Sequence, residues 1–514
     1  MASGRFRPGL TLPTVAGVIV AMAAVRLVFA GLIPLTEDEA YYRLWSMRLQ
    51  TGYFDHPPMI AWWIAAGRGL VGDTALGARL LPVLANAVAA FLLIDALRTL
   101  GVGERPALRA GLWLNATLLI GAGGLLAIPD APTLLFWTAT IWALARATGA
   151  GAGPSEIAGW WALAGVAAGL AVLSKYSALF LAPGILLWLC LTADNRRRLS
   201  TPGPWLAAVA ALAVVAPHIA WNAANGWVSV IKQFGRVGAK SFEPAHLAEL
   251  IGGQFLLLNP IIAVFAVRAV VRVGALKSPE ALLWLSSMPF VLYLTAHSLH
   301  DPVQAHWPAP VYPALVGLAA IGAERVGQNR PASLFWRRAT PFLGMGLVFV
   351  ILTFAAVPAL DALAGPATRP LRGWPQFGAT VQARAATADQ GPAAWVGTMS
   401  YGLAAQLTAE PGLTLPIVQL NDRARYDPLP PVAGPDFDRP GLVIDLPRRV
   451  TAEALRTCFH AVEALEPIRR DARPGTAGAD VAYAAFRVSR PIRIVSGGCW
   501  RGRDMPPKPV EAAS

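Results

Sequence analysis

Charge is what this sequence lacks. Of 514 residues only 14% are Asp, Glu, Lys or Arg, and 55% are hydrophobic. A soluble chain carries about a quarter of its residues as charges. The shortage is uneven: long stretches before Pro358 are almost free of charge, whereas the chain after Asp361 has an ordinary soluble composition. The contrast divides a membrane body, residues 1–358, from a water-facing domain, residues 359–514. Cysteine is scarce too, with three in the chain. Cys190 lies in an apolar run and reads as a small buried residue. Cys458 and Cys499 fall in the tail, where an oxidising compartment would let them pair. Also missing are a phosphate-binding Gly-rich loop ending in Lys-Ser/Thr, a His-Glu zinc-protease motif, a Cys-x-x-Cys pair and a Gly-x-Ser-x-Gly elbow. Nucleotide-driven pumping and thiol chemistry therefore find no support. The net charge of +13 does not signal nucleic acid, because no nucleic-acid module is present and the basic residues cluster between apolar runs.

Those apolar runs organise the chain. The first spans Leu10 to Leu35 behind Arg5 and Arg7; it is too long for a signal-peptide core and reads as an uncleaved span. Further spans are centred near Ala89, Leu118, Ile141, Gly165, Ile185, Ala211, Val264, Leu292, Leu315 and Val348, giving about eleven in all. With the amino terminus in the cytoplasm, the connections holding Arg98, Arg105 and Arg109, then Arg146, Arg196 to Arg198, Arg268, Arg272 and Lys277, and Arg325, Arg337 and Arg338 all fall inside. The tail then lies outside, in the periplasm, the side on which its cysteines would oxidise. Within it, Ala393 to Thr398, Ile417 to Leu420 and Leu442 to Ile444 read as strands, and Tyr401 to Ala409 and Ala452 to Glu466 as helices. The expected fold is an all-α polytopic membrane body with a small C-terminal α/β periplasmic domain.

Acids, histidines and interfacial aromatics of the membrane region gather in the outer connections. The densest group is Glu37-Asp38-Glu39-Ala40-Tyr41-Tyr42, followed by Tyr53-Phe54-Asp55-His56-Pro57-Pro58. Carboxylates at a low-dielectric boundary are expensive, and they suit either a helix cap in a solvated loop or an acid/base or cation site. Asp130 occupies the turn Ile128-Pro129-Asp130-Ala131-Pro132, good both as a helix start and as a placed acid. Lys175 and Arg236 lie on the outer side, against the positive-inside bias, which favours binding an anion. His306-Trp307 opens the next span and reads as an aromatic belt with a bystander or as part of a site.

The run Asp38-Glu39-Ala40-Tyr41-Tyr42 with Trp45-Ser46, then Gly52-Tyr53-Phe54-Asp55-His56-Pro57-Pro58-Met59, resembles bacterial members of glycosyltransferase family 39. That group contains the aminoarabinose and galacturonic acid transferases of lipid A and relatives of protein O-mannosyltransferases. Pro129-Asp130, Leu173-Ser174-Lys175-Tyr176, Trp221-Asn222 and Gln233 to Arg236 are similar to its later motifs, in order; Tyr401-Gly402-Leu403-Ala404 and Arg423-Ala424-Arg425-Tyr426 are similar to a tail segment of some members.

The resemblance implies a GT-C fold and a polyprenyl-phosphate-linked sugar donor. The acceptor would be periplasmic: lipid A, a cell-envelope glycan or a protein. It implies catalytic acids at Asp38, Glu39 and Asp130, and a donor site of Lys175, Arg236, Tyr42, Tyr53 and His56. His56 departs from the Lys of the aminoarabinose transferases, and a neutral imidazole is a weaker anion partner. No nucleotide is needed for the transfer; a divalent metal cation near Asp55, His56 or His306 is left open. The competing reading is a lipid-linked-sugar flippase or transporter, which would place charges near mid-bilayer on broken helices between inverted repeats. Acids gathered at one face favour an enzyme.

Overall fold

The structure, a computed structural model, describes residues 10–149, 153–191, 193–235, 241–271, 280–325, 331–386, 391–421, 425, 437–471 and 480–492. It divides into two compact units. The first takes the chain up to Leu32 and from His56 to Thr353; the second joins Ile33–Asp55 to the chain from Phe354 onward. The single cut expected after residue 358 therefore lies close to the second crossing, while the acidic first connection goes with the C-terminal part.

The first unit is helical. Among the described residues, Leu12–Leu32, Ala75–Thr99, Pro154–Ser174, Pro202–Ala224 and Ala332–Ala356 are long and apolar enough to cross a bilayer. Two bent pairs raise the number from five to at most seven: Tyr176–Leu191 with Asp194–Ser200, bent by 114°, and Ala245–Leu257 with Pro260–Ala269, bent by 108°. The remaining expected centres, near Leu118, Ile141, Leu292 and Leu315, fall in Leu118–Gly121, Asp130–Thr148, Ala281–His297 and Tyr312–Arg325, which are shorter or more polar. Burial explains the polarity. Asp130–Thr148 and Tyr312–Arg325 are packed on nearly every side by other helices, so they meet protein instead of lipid and accommodate Thr, Asp and Arg. Pro202–Ala224 is the opposite case: it buries only Gly203, His218 and Asn222, and Trp205, Val209 and Leu212 are more than 60% exposed. Its close partner is Pro154–Ser174, where a Cβ on Gly165 would come within 2.1 Å of the Ala207 carbonyl oxygen and one on Gly169 within 2.8 Å of that of Ala211. Two small residues four apart let the helix backbones meet. Cys190, expected to be buried, is instead an exposed free thiol on the outward side of Leu181–Leu191; a helix that faces lipid need not bury its apolar side chains in protein.

The second unit carries a five-stranded sheet: β1 (Trp395–Thr398), β2 (Ile417–Gln419), β3 (Gly441–Asp445), β4 (Phe459–Arg470) and β5 (Val481–Pro491), in the order β2-β1-β3-β5-β4. β1 pairs in parallel with β2 and β3, and β5 runs antiparallel to both β3 and β4. Alternation puts Leu442 and Ile444 on one face with Val396, Leu403 and Phe377, and Val443 on the other with Trp395 and Phe459. Both faces are covered, which is why β3 reads as a continuous apolar run. The helix Tyr401–Ala409 and the first three strands match the sequence reading closely.

The helix expected over Ala452 to Glu466 is a correction. It starts on the Thr451 cap but stops at Arg456, and the chain continues as β4. Pairing with β5 overrides the Ala, Glu and Leu propensities, and Pro467, intolerable within a helix, sits at a register shift of this edge strand. Cys458 is disulfide-bonded; its expected partner, Cys499, lies outside the described residues.

Candidate active site

In the second unit, Thr36 caps the helix Glu37–Met47 and the three acids occupy its first turn. They are not equivalent. Glu39 is fully buried and closes a capping box, its Oε2 accepting from Thr36 N at 3.0 Å and from Thr36 Oγ1 at 3.1 Å. Its carboxylate is committed to holding the helix start. Glu37 is exposed as a residue, yet its carboxyl end lies against Gly402, where a Cβ would come within 2.4 Å of Oε2. Desolvation there raises the Glu37 pKa, partly opposed by Arg449. Asp38 is half-buried and accepts a 2.9 Å hydrogen bond from the Tyr401 hydroxyl on Oδ1. Burial, then the charge of Asp38, raises the Tyr401 pKa, so this hydroxyl keeps its proton and donates.

Asp55 is also held. Tyr41 donates to its Oδ2 and Arg425 Nη2 to its Oδ1, each at 2.8 Å. The Arg425 guanidinium lies 4.5 Å from the Tyr401 ring centroid and 5.4 Å from that of Phe54. Tyr42 and Tyr53, expected at the donor, belong to the aromatic packing of this segment. Tyr42 meets Trp45 edge-on, and Tyr53 stacks on Trp45 at 4.4 Å. The Tyr53 hydroxyl donates to the Trp45 and Arg48 carbonyls and accepts from Gln50 N, and burial pushes its pKa up to about 12.

In the first unit, Asp130 opens the helix Asp130–Thr148 directly after Pro129 and is 4% exposed. The helix N-terminus favours a carboxylate there. Lys175 ends the helix Pro154–Ser174 in an extended conformation, and its Nζ reaches Asp130 Oδ1 at 2.8 Å. His306 Nε2 lies 3.6 Å from Oδ2, and the Lys175 ammonium lies 5.9 Å from the Trp307 ring centroid. The sequence thus nominated three residues, far apart in the chain, that the fold brings together. Beside them is a polar network that the sequence reading did not assemble: Tyr176, His218, Asn222 and Ser229. The Tyr176 oxygen is 2.8 Å from His218 Nε2 and 2.5 Å from Ser229 Oγ, which donates to Asn222 Oδ1 at 2.7 Å. His56 is half-buried ahead of Met59–Val71. Arg236 lies outside the described residues. Among those described, no three His, Cys, Asp or Glu come together to hold a metal ion, and the Arg425 guanidinium takes the Asp55 oxygen a cation would need.

Residues 55–221 match the family model described as dolichyl-phosphate-mannose-protein mannosyltransferase. Over 288 residues the chain is 32% identical to the lipid A galacturonosyltransferase RgtD of Rhizobium johnstonii, a match covering 54% of this chain and 58% of that relative's length. In fold, the chain is similar to the apo crystal structure of ArnT from Cupriavidus metallidurans, with a TM-score of 0.65 at 16% identity over 92% of this chain and 97% of that one. ArnT bound to undecaprenyl phosphate gives 0.63 at 17% identity, over 92% and 98%. The resemblance is carried by part of the chain: the family model matches residues 55–221, and the chain spans 58% of the length of RgtD.

Two features escaped the sequence. Arg425 lies inside the motif Arg423-Ala424-Arg425-Tyr426, but nothing local marks its partner as Asp55, 370 positions away. His218 was not singled out; the signal available is its position four residues before Asn222, on one helix face.

Proposed function

We propose that this protein is a glycosyltransferase of the bacterial inner membrane that takes a sugar from a polyprenyl-phosphate donor and passes it to a periplasmic acceptor. The observation that carries the reading is the buried Asp130–Lys175 ion pair with His306 beside it, in a fold shared with a protein that binds undecaprenyl phosphate. The likeness to RgtD favours lipid A as the acceptor. The periplasmic orientation rests on the basic loops assigned to the cytoplasm.

The donor is a phosphodiester with one negative charge. An acceptor oxygen attacks the anomeric carbon with inversion, the bond from that carbon to the phosphate oxygen breaks, and the departing polyprenyl phosphate carries an additional negative charge. Lys175, oriented by Asp130, stabilises this growing charge, and Arg236 is assigned the same role. Asp38 takes the proton of an acceptor hydroxyl. No nucleotide takes part, consistent with the absence of nucleotide motifs.

Membranes containing the protein, incubated with a panel of polyprenyl-phosphate sugars and lipid A, test the proposal by mass spectrometry of the products. The expected result is a glycosylated lipid with matching release of polyprenyl phosphate. Movement of intact donor across the bilayer without any transfer product would make the protein a transporter instead.

A further inference from the structure

We propose that Tyr401 is the positioning residue for Asp38, and that the C-terminal sheet exists in part to hold its hydroxyl in place. The inference rests on Asp38 being the acceptor-side acid. Three independent constraints converge on the Tyr401 side chain. Its backbone is fixed from below: Met399 N and Ser400 N, in the turn leaving β1, both donate to Asp445 Oδ2, at 2.8 and 2.7 Å, and Leu446 N donates to Oδ1 at 2.7 Å. Asp445 is fully buried at the end of β3, so the neighbouring strand sets where the helix Tyr401–Ala409 begins. The ring is gripped by the Tyr41 ring at a centroid distance of 5.0 Å and by Arg425 at 4.5 Å. Arg425 and Tyr41 are themselves locked, because both bind Asp55. Finally, Gly402 lets the first turn of the acidic helix approach, since any side chain there would strike the Glu37 carboxylate.

With the ring fixed, the hydroxyl donates to Asp38 Oδ1. A cap would not need it, since Thr36 and Glu39 already satisfy the helix start. What the bond does is take one carboxylate oxygen and fix the plane of the group. Oδ2 then has no hydrogen-bond partner among the described residues and remains for an acceptor hydroxyl. Fixing a reacting group in this way is worth large factors in rate, because a misplacement of about 1 Å costs on the order of 100-fold.

The test uses the full-length purified protein with a polyprenyl-phosphate sugar, comparing Tyr401→Phe, Asp38→Asn and the double variant. Phe keeps the ring and its contacts and removes only the hydroxyl. Tyr401→Phe is expected to lower kcat by about 10- to 100-fold and leave the donor KM unchanged. The double variant is expected to be no slower than Asp38→Asn alone, because residues that act as one unit are not additive. Asp445→Asn, two contacts away, serves as a second variant should Phe disturb the helix, with the same pattern expected. If Asp38→Asn is slow but the Tyr401→Phe and Asp445→Asn defects multiply with it, or are absent, Tyr401 does not act through Asp38 and this inference fails alone. If Asp38→Asn transfers at the wild-type rate, the assignment of Asp38 falls as well.

Discussion

Replacing Lys175 by Met separates its two jobs. The Lys175 side chain is 12% exposed and the Asp130 side chain 6%, so the pair is buried, and removal of the cation leaves a carboxylate whose nearest other charge partner is His306 at 3.6 Å. Breaking a buried pair from one side costs about 3–5 kcal/mol, whereas replacing both partners by neutral groups of similar shape is close to neutral. Lys175→Met should therefore be clearly destabilised in thermal unfolding in detergent, and Asp130→Asn/Lys175→Met should recover most of the loss. Donor use should follow a different pattern. If Lys175 stabilises the departing phosphate, its contact contributes about 1.5–3 kcal/mol, or about 10- to 150-fold in kcat/KM. That deficit should persist in the stable double variant. Wild-type stability of Lys175→Met would refute the buried pair; wild-type donor kinetics in the double variant would refute the phosphate assignment.

Tyr53→Phe should cost about 1–3 kcal/mol of stability, because its hydroxyl serves three backbone groups, with donor KM unchanged; a raised KM at wild-type stability would return Tyr53 to the donor site. Glu37→Gln should leave turnover intact and raise the melting temperature near neutral pH. The sign follows from the raised Glu37 pKa: the folded protein holds this proton more tightly than the unfolded chain, so stability falls as pH rises through the window above the ordinary carboxylate value. The gain from Gln should thus be present above that window and vanish below it; an equal gain at acid pH would contradict it. Non-reducing peptide mapping should recover Cys458 linked to Cys499 and Cys190 alkylated, and reduction should destabilise the domain by about 2–4 kcal/mol. A free Cys458 in freshly purified protein would rule the bond out.

Much of this was legible locally. Apolar runs located the helices, and a Gly- and Pro-punctuated tail yielded three of five strands. β4 was missed because Phe459 to Glu466 is written in helix-forming residues and its strand state comes from pairing Val462 with Val488 and Ala464 with Phe486; Pro467 was the warning. For the site, residue types were readable and partnerships were not. Asp38 was legible as an acid at a membrane boundary, but its bond to Tyr401 joins positions 363 apart. Glu39, adjacent and chemically similar, differs only in which way its helix turn points it, toward Thr36. The acidic first connection belongs with the C-terminal part through packing of Glu37–Met47 on Tyr401–Ala409, a contact no composition boundary reveals.

The central claim is sugar transfer from a polyprenyl-phosphate donor, and a single-turnover experiment addresses it most directly. Purified protein is mixed with donor labelled in the sugar, and label is followed from the lipid to the acceptor, in wild type and in Asp38→Asn. Label is expected to reach the acceptor in step with release of unlabelled polyprenyl phosphate, and Asp38→Asn, normally folded, is expected to slow this by about 10²–10⁴-fold, the range for a lost general base. Label that stays on the lipid in the wild type, or an Asp38→Asn variant that transfers at the wild-type rate, would contradict it.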